Sequence, residues 1–154
     1  SGKESNAISK LAADLCSEAT SPSIISLVAK GDDQVIGYVS YSPIFLKSDT
    51  QISGYILAPL AVSPEHETQG VGTNLIKRGM DMLTEDGVDV LLVYGEPEYY
   101  SGFGFKDEIG GLFMPPYPLE YPFGWRGLML NETAVPVSPV RFECVAALSK
   151  SELW

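Results

Sequence analysis

The sequence predicts a mixed α/β (α+β) fold, in which a mostly antiparallel sheet surrounds a central parallel βαβ unit. Three observations support this class: an amphipathic helical segment opens the chain, a hairpin pattern follows it, and two apolar strands then flank a second helical segment. We expect the 154 residues to form one domain, 1–154. A chain of this length can bury roughly 68–70% of the surface that it exposes when unfolded.

The first predicted element is a helix over residues 4–16. Apolar residues recur there at intervals of three and four, and they are Ile8, Leu11, Ala12, Leu15 and Cys16. This spacing puts them on one helix face, which we expect to pack against the sheet. Cys16 and Cys144 both fall on apolar faces, so buried packing is a better interpretation for them than nucleophilic chemistry.

A β-hairpin is predicted next. Residues 24–29 and 35–41 are strand-like, and Gly31-Asp32-Asp33 between them supplies turn chemistry. Pro43 is expected to end the second strand, and Ser48-Asp49-Thr50 is expected to form another turn.

The central βαβ unit is predicted over residues 56–94. Residues 52–62 read as a long apolar strand, 70–86 as an amphipathic helix that ends at Gly87, and 88–94 as a second strand. The second strand shows almost no alternation, which is typical of a parallel strand that is buried on both faces.

The last third of the chain gives weaker signals. We expect a helical turn at 97–101 and a strand at 103–106. Four prolines exclude regular structure over 112–123, and residues 125–130 and 141–148 are expected to close the sheet as an antiparallel pair.

Composition excludes several classes of protein. The formal charge is −10, from 20 acidic and 10 basic residues, so a nucleic-acid partner is not expected. The longest apolar run is far shorter than the ~20 residues of a membrane span, and no signal peptide is evident. Because His66 is the only histidine and there are two cysteines, we expect no metal site and no disulfide framework. The expectation is a cytoplasmic protein without membrane partners.

Two features between residues 57 and 73 indicate a ligand site. Pro59 inside an apolar strand predicts either a bulge or an edge strand, and a bulge would leave amides such as that of Leu60 unpaired. Gly70 and Gly72 at the start of a helix would let a phosphate approach free backbone N–H groups. The structural alternative is that both glycines serve only turn or packing roles. A dinucleotide fingerprint is excluded because Leu75 stands at its third glycine position, and no Gly-Lys-Ser/Thr follows to make a Walker A loop.

At this point the residues resemble a known family. Leu60-Ala61-Val62, then Ser63-Pro64-Glu65, then Gly70-Val71-Gly72, all following a strand with an internal proline, are similar to the acetyl-CoA-binding core of the GNAT acetyltransferase superfamily. Tyr100, four positions before Gly104-Phe105, resembles a further element of that family. The resemblance covers residues 24–106 and is best with a branch of predicted N-acetyltransferases without assigned substrates.

This resemblance implies a GNAT-like acyl-CoA N-acyltransferase fold, acetyl-CoA as cosubstrate and no metal. Pantetheine would pair with the backbone of Leu60, Ala61 and Val62, and the Leu60 N–H would stabilise the oxyanion. Tyr100 would protonate the departing thiolate as general acid. The pyrophosphate would lie on a loop and helix start made of Glu67, Thr68, Gln69, Gly70, Val71, Gly72 and Thr73.

The sequence departs from the family in two places. Glu67 stands at a position that is usually Gln or Arg, and Thr68 at one that is often Gly. A carboxylate beside a pyrophosphate disfavours binding unless it turns to solvent, whereas the backbone donors survive the change. Family members also carry a strand and a helix before the helix predicted at 4–16, and this sequence has no room for them.

Several assignments stay open at this stage. Tyr100 could be a core aromatic residue beside Phe103 and Phe105, in which case Tyr99 would face the groove. Glu96 and Glu98 are weak candidates for a general base. The proline-rich and aromatic stretch 113–125 could line an acceptor pocket or cover a sheet edge.

The function expected from these observations is N-acetylation, in which a small-molecule or peptide primary amine attacks acetyl-CoA directly in a ternary complex. The first alternative is a non-catalytic CoA-binding module that serves regulation or partner binding. A protein-interaction domain that binds no CoA is the second. Pairing of two copies into a homodimer through the final strands stays open.

Overall fold

The structure is a computed structural model that describes residues 2–48, 50–132 and 134–154. The turn predicted at 48–50 includes Asp49, which lies outside the described residues. The α-helices are α1 (Gly2–Ser17), α2 (Val71–Glu85), α3 (Pro97–Ser101) and α4 (Asp107–Gly110). The strands are β1 (Ile25–Gly31), β2 (Gln34–Leu46), β3 (Gly54–Val62), β4 (Val90–Tyr94), β5 (Phe113–Met114), β6 (Trp125–Met129) and β7 (Val140–Glu143).

Within the described ranges, seven strands form one mixed sheet. Its order is β5-β7-β2-β3-β4-β6, and β1 pairs with β2 beside this path. The pairs β3·β4 and β5·β7 are parallel, whereas β1·β2, β2·β3, β2·β7 and β4·β6 are antiparallel. The predicted fold class, with its central parallel βαβ unit, is therefore confirmed.

Helix α2 covers one face of the sheet, and its position is fixed by a close contact with β2. A Cβ atom on Gly79 would lie 2.1 Å from the Tyr41 ring, so only glycine permits this approach. The Tyr41 hydroxyl donates to the carbonyl oxygens of Leu75 and Ile76 at 3.0 and 3.2 Å. This anchoring sets where the first turn of α2 lies relative to the neighbouring strand β3.

Helix α1 and the C-terminal segment cover the opposite face. Their core includes Leu15, Ile56 and Phe142, all at most 2% exposed. The Glu18 carboxylate, just beyond α1, accepts from the amides of Ala146 and Ala147 at 2.8 and 2.9 Å. The end of α1 is thereby joined to the chain that follows β7.

Pro43 does not end the second strand of the hairpin, as the sequence had predicted, but lies inside β2. The pairing with β1 stops at Tyr41, and the pairing with β7 starts at Phe45. Pro43 therefore falls in a gap along that edge of β2, where a missing N–H group breaks no ladder hydrogen bond.

Three further expectations for the last third are wrong. Residues 103–106 form a turn with one isolated bridge, Lys106 to Gly127, rather than a strand. The strands β6 and β7 do not pair with each other, because β6 covers the buried strand β4 while β7 joins β2 and β5. The segment 112–123 also contains the two-residue strand β5. Long-range pairing decided these elements, and the local sequence carries no signal for it.

No helix in the described part of the chain is long and apolar enough to cross a membrane.

Candidate active site

Strand β3 changes its pairing halfway along its length. Over Gly54–Leu57 it pairs with β4, in a register that runs from Gly54–Val90 to Leu57–Val93. Pairing with β2 continues to Val62, but no β4 partner follows Leu57. We call residues 54–57 the paired half of β3 and residues 58–62 its open half. The edge of the open half that faces β4 therefore has no strand partner.

A bulge begins the open half. Leu57 lies opposite Tyr41 and Leu60 lies opposite Val39, so Ala58 and Pro59 together face Ser40 alone. This confirms the bulge predicted from Pro59. Because an extra residue bends its strand and interrupts the ladder, it accounts for the separation of β3 from β4 at this point.

The start of α2 lies beside this open half. Its N-cap is Gly70, whose φ of 76° is in the left-handed region that glycine adopts without steric cost. The Asn74 N–H donates to the Gly70 carbonyl at 3.0 Å, and the amides of residues 71–73 precede that bond. First-turn amides have no intrahelical acceptor, and α2 has no acidic residue in its first turn. The helix end is therefore a suitable binding surface for an anion.

A cavity of about 290 Å³ lies between the open half of β3 and the start of α2. It is lined by Leu60, Val62, Glu67, Gly70, Gly72, Thr73 and Tyr99. Six of the site residues expected from the sequence are thus brought together around one space, with Tyr99 as the addition.

The remaining expected residues lie around this cavity. Ala61 lines a separate cavity of about 510 Å³ on the α1 side of β3, and Leu60, Val62 and Glu67 contribute to it as well. Thr68 and Gln69 are exposed in the loop before α2, whereas the Val71 side chain is buried beneath it.

Tyr99 is the site residue that the sequence supports only as an alternative to Tyr100. A Cβ atom on Gly72 would lie 2.8 Å from the Tyr99 hydroxyl, so this hydroxyl lies directly over the first turn of α2. Burial raises the pKa of Tyr99, and an interaction with the Thr73 side chain partly opposes that change. The sequence signal was the adjacency of two tyrosines in α3, since neighbouring residues on a helix point in different directions.

Tyr100 lies deeper than Tyr99. It is 8% exposed, and its ring contacts Phe105 edge to face with 5.7 Å between ring centroids. A Cβ atom on Gly95 would be 2.6 Å from this ring, which places Tyr100 beside the residue that follows β4. Burial raises the pKa of Tyr100, so its hydroxyl keeps its proton well above neutral pH. Tyr100 does not line the 290 Å³ cavity.

The other candidates are peripheral. Glu96 and Glu98 are exposed at the start of α3. His66 lies 3.3 Å from the Ser63 hydroxyl in the loop before α2. Cys144 is buried, which raises the pKa of its thiol to about 12. The expectation that Cys16 is buried is wrong: it is exposed at the end of α1, and its sulfur lies 3.8 Å from the Tyr38 hydroxyl.

The described residues contain no group of three or more His, Cys, Asp or Glu side chains that could hold a metal ion.

Comparison with known proteins assigns a fold with these features, a parted parallel strand pair beside a helix start, to the acetyltransferases. The model of the acetyltransferase (GNAT) family matches residues 4–105. The chain belongs to this family.

Particular relatives share most of the structure. The chain is 40% identical over 105 residues to the uncharacterized N-acetyltransferase YhbS of Escherichia coli (strain K12). This match covers 67% of this chain and 60% of the length of YhbS. A crystal structure of E. coli YhbS in complex with CoA has a TM-score of 0.79 at 29% identity, over 94% of this chain and 78% of that chain. A GNAT family acetyltransferase from Brucella melitensis in complex with acetyl-CoA has a TM-score of 0.62 at 27% identity, over 96% of this chain and 79% of the other.

Proposed function

We propose that this chain transfers an acetyl group from acetyl-CoA to a primary amine within a ternary complex. The observation that carries the proposal is the separation of β3 from β4 over residues 58–62, directly beside the start of α2. The relatives that were crystallised with CoA and with acetyl-CoA support the choice of cosubstrate.

Part of the cosubstrate would occupy the 290 Å³ cavity, and the rest would extend beyond it toward the end of β4. The pyrophosphate would accept hydrogen bonds from amides between Thr68 and Thr73, where the helix dipole adds a favourable potential. The pantetheine would run along the free edge of the open half and pair with the backbone of Leu60 and Val62. This arrangement directs the thioester toward the end of β4, because the phosphate end is held at α2.

The chemical step follows from that placement. The neutral amine attacks the thioester carbonyl, a C–N bond forms, and the N–H group of Leu60 stabilises the developing oxyanion. Contacts of this kind contribute about 2.7–4 kcal/mol in other enzymes. The C–S bond then breaks, Tyr100 donates its proton to the thiolate, and the proton released by the amine passes to solvent and restores Tyr100. The raised pKa of Tyr100 keeps the donor protonated.

A second candidate function keeps the ligand and omits the reaction. Glu67 lines the 290 Å³ cavity, at the position where the family usually carries Gln or Arg. A carboxylate there opposes the pyrophosphate, which favours a regulatory module that binds CoA without turning it over.

Two measurements distinguish the candidates. Saturating acetyl-CoA should raise the melting temperature, since a ligand at 100 times its Kd adds about 2.7 kcal/mol to the free energy of unfolding. Release of free thiol with a panel of amines then tests turnover. Stabilisation by acetyl-CoA without amine-dependent release of thiol supports the module. The absence of both stabilisation and thiol release would contradict both candidates.

A glycine pair supplies the matched control. Gly72→Val should abolish the acetyl-CoA stabilisation, because its side chain would enter the space between Tyr99 and the open half of β3. Gly111→Val, at an exposed site where an added Cβ meets no atom closer than 3.5 Å, should leave the stabilisation intact. An unchanged shift in Gly72→Val would place the ligand elsewhere.

A further inference from the structure

Two exposed aromatic side chains lie together next to the end of β4. Tyr121 is 54% exposed and Phe123 is 65% exposed. Their ring centroids are 5.9 Å apart with an interplanar angle of 67°. We call these two residues the aromatic rim. Because the two exposed rings are adjacent, they form one small apolar patch that a ligand or a partner can contact.

The backbone of the rim is attached to the residues where β3 and β4 part. The Tyr121 N–H donates to the Tyr94 hydroxyl at 2.7 Å, and the Gly95 N–H donates to the Gly124 carbonyl at 3.0 Å. A Cβ atom on Gly124 would lie 2.7 Å from the Gly95 oxygen, so this contact is tight. Because Val93 is the last β4 residue paired with β3, the rim stands at the same end of the sheet as the thioester in the proposed function.

The sequence that precedes and includes the rim is rich in carboxylates. Residues 94–124 carry five carboxylates and one basic side chain, and these are Glu96, Glu98, Asp107, Glu108, Glu120 and Lys106. Glu120 directly precedes Tyr121, and Glu96 directly follows Gly95, and both are exposed. Aromatic ring faces and carboxylates both attract cations, and together they form a recognition surface for positive charge.

We infer that the acceptor amine carries a second positive charge, which the aromatic rim and its flanking carboxylates bind. This inference rests on the proposed function. The reacting nitrogen must be neutral to attack the thioester, so the cation at the rim is a different group of the same molecule. The acceptor class is therefore a diamine or a polyamine rather than a simple alkylamine.

The test compares 1,4-diaminobutane with n-butylamine, two acceptors with the same carbon chain that differ in one charge. The full chain should acetylate the diamine with the higher kcat/KM. Phe123→Ala should raise the KM for the diamine roughly two- to fivefold, as expected for loss of an exposed cation–aromatic contact, and should leave the KM for n-butylamine unchanged within error. Glu120→Gln should show the same selectivity with a smaller change.

Phe45→Ala is the matched control. Phe45 is 40% exposed and lies on β2 opposite Glu143, next to the start rather than the end of β3. Its replacement should leave both amines unaffected. Equal losses for the two amines in Phe123→Ala, or an undiminished preference for the diamine, would overturn the inference.

Calorimetric titration of 1,4-diaminobutane into the CoA-saturated protein makes the outcome independent of turnover. Binding that Phe123→Ala weakens, without any acetylation, would keep the aromatic rim as a cation-binding surface but would contradict the transferase and, with it, the role of the diamine as acceptor. No diamine binding to the CoA complex would overturn the inference while CoA binding stands. Concentration-dependent dimerisation that Phe123→Ala removes, with unchanged diamine binding, would instead assign the rim to a second copy of the chain.

Discussion

The two halves of β3 show how one strand can contribute first to the core and then to a candidate ligand site. The paired half is buried throughout and has hydrogen-bonded neighbours on both edges. The open half is only partly buried and has one neighbour, β2. Both halves are apolar in sequence, so hydrophobicity does not distinguish them. The difference arises from one extra residue at the bulge, which exchanges strand pairing for a free edge that a ligand can use.

The largest effect is expected from the two tyrosines that lie near these halves. Tyr100 lies against Gly95 at the end of β4, whereas Tyr99 lies over Gly72 beside the open half. If Tyr100 is the general acid, Tyr100→Phe should lower kcat by roughly 10²–10⁴-fold with little change in the KM for acetyl-CoA. Steady-state kinetics with a saturating amine measures this.

Tyr99→Phe is the control, and its kcat should stay within a few-fold of the parent. A large fall in Tyr99→Phe together with a mild effect in Tyr100→Phe would assign the acid role to the cavity-lining residue instead.

A leucine pair tests the stability of the two halves. Leu57 is 2% exposed in the paired half, and Leu57→Ala should cost about 2–5 kcal/mol of the free energy of unfolding. Leu60→Ala in the open half should cost clearly less, because Leu60 is already partly exposed, but it should weaken acetyl-CoA binding. Urea denaturation and ligand titration of both variants make the comparison, and equal stability losses would contradict it.

Alkaline pH should reveal the burial of Tyr100. Burial raises its pKa in the folded chain, whereas a tyrosine in the unfolded chain loses its proton near pH 10. Above about pH 10 the unfolded state therefore binds fewer protons, and the free energy of unfolding falls as the pH rises. Tyr100→Phe should show a shallower fall between pH 10 and 12 in denaturation experiments. Parallel curves for parent and variant would show that Tyr100 titrates normally.

The smallest effect is expected for Glu67, which lines the 290 Å³ cavity. Glu67→Gln should tighten acetyl-CoA binding by up to about fivefold, since it removes one exposed charge near the proposed pyrophosphate site. Glu65→Gln, two residues earlier and bonded to the Ser63 hydroxyl, is the matched control. The gain should shrink at high salt, and weaker binding in Glu67→Gln would show that the carboxylate contributes to the site.

Periodicity and turn chemistry were sufficient to predict the first two thirds of the fold. The helix α1, the hairpin and the βαβ unit all carry local patterns that the structure confirms. The prediction for the last third of the chain failed because strand pairing there depends on residues that are distant in sequence. The free edge of β4 is covered by β6, and no local pattern around Trp125 or Arg141 indicates which strand each will join. The prediction that Pro43 ends a strand was wrong for a related reason. Strand β2 can contain this proline because Pro43 lies between the segments of β2 that pair with β1 and with β7.

The candidate site was predictable where it rests on the backbone. Pro59 and Gly70 signalled the bulge and the helix start, because both residue types constrain the main chain directly. Side-chain direction was not predictable in the same way. Tyr99 and Tyr100 are chemically identical and adjacent, and only the packing of Tyr100 against Gly95 and Phe105 shows which of them is buried.

The bulge in β3 also sets the sidedness of every residue after it. Tyr55 and Leu57 belong to the core on the α2 side, and beyond the bulge it is Leu60 and Val62 that pack there. The side chains of β3 that face α2 are therefore the odd-numbered ones before Pro59 and the even-numbered ones after it. Deleting a single residue at this point would leave the strand equally apolar but would turn Leu60 and Val62 away from α2. Strand length in this segment is therefore as strongly constrained as residue type, and natural insertions or deletions here should occur only in compensated pairs.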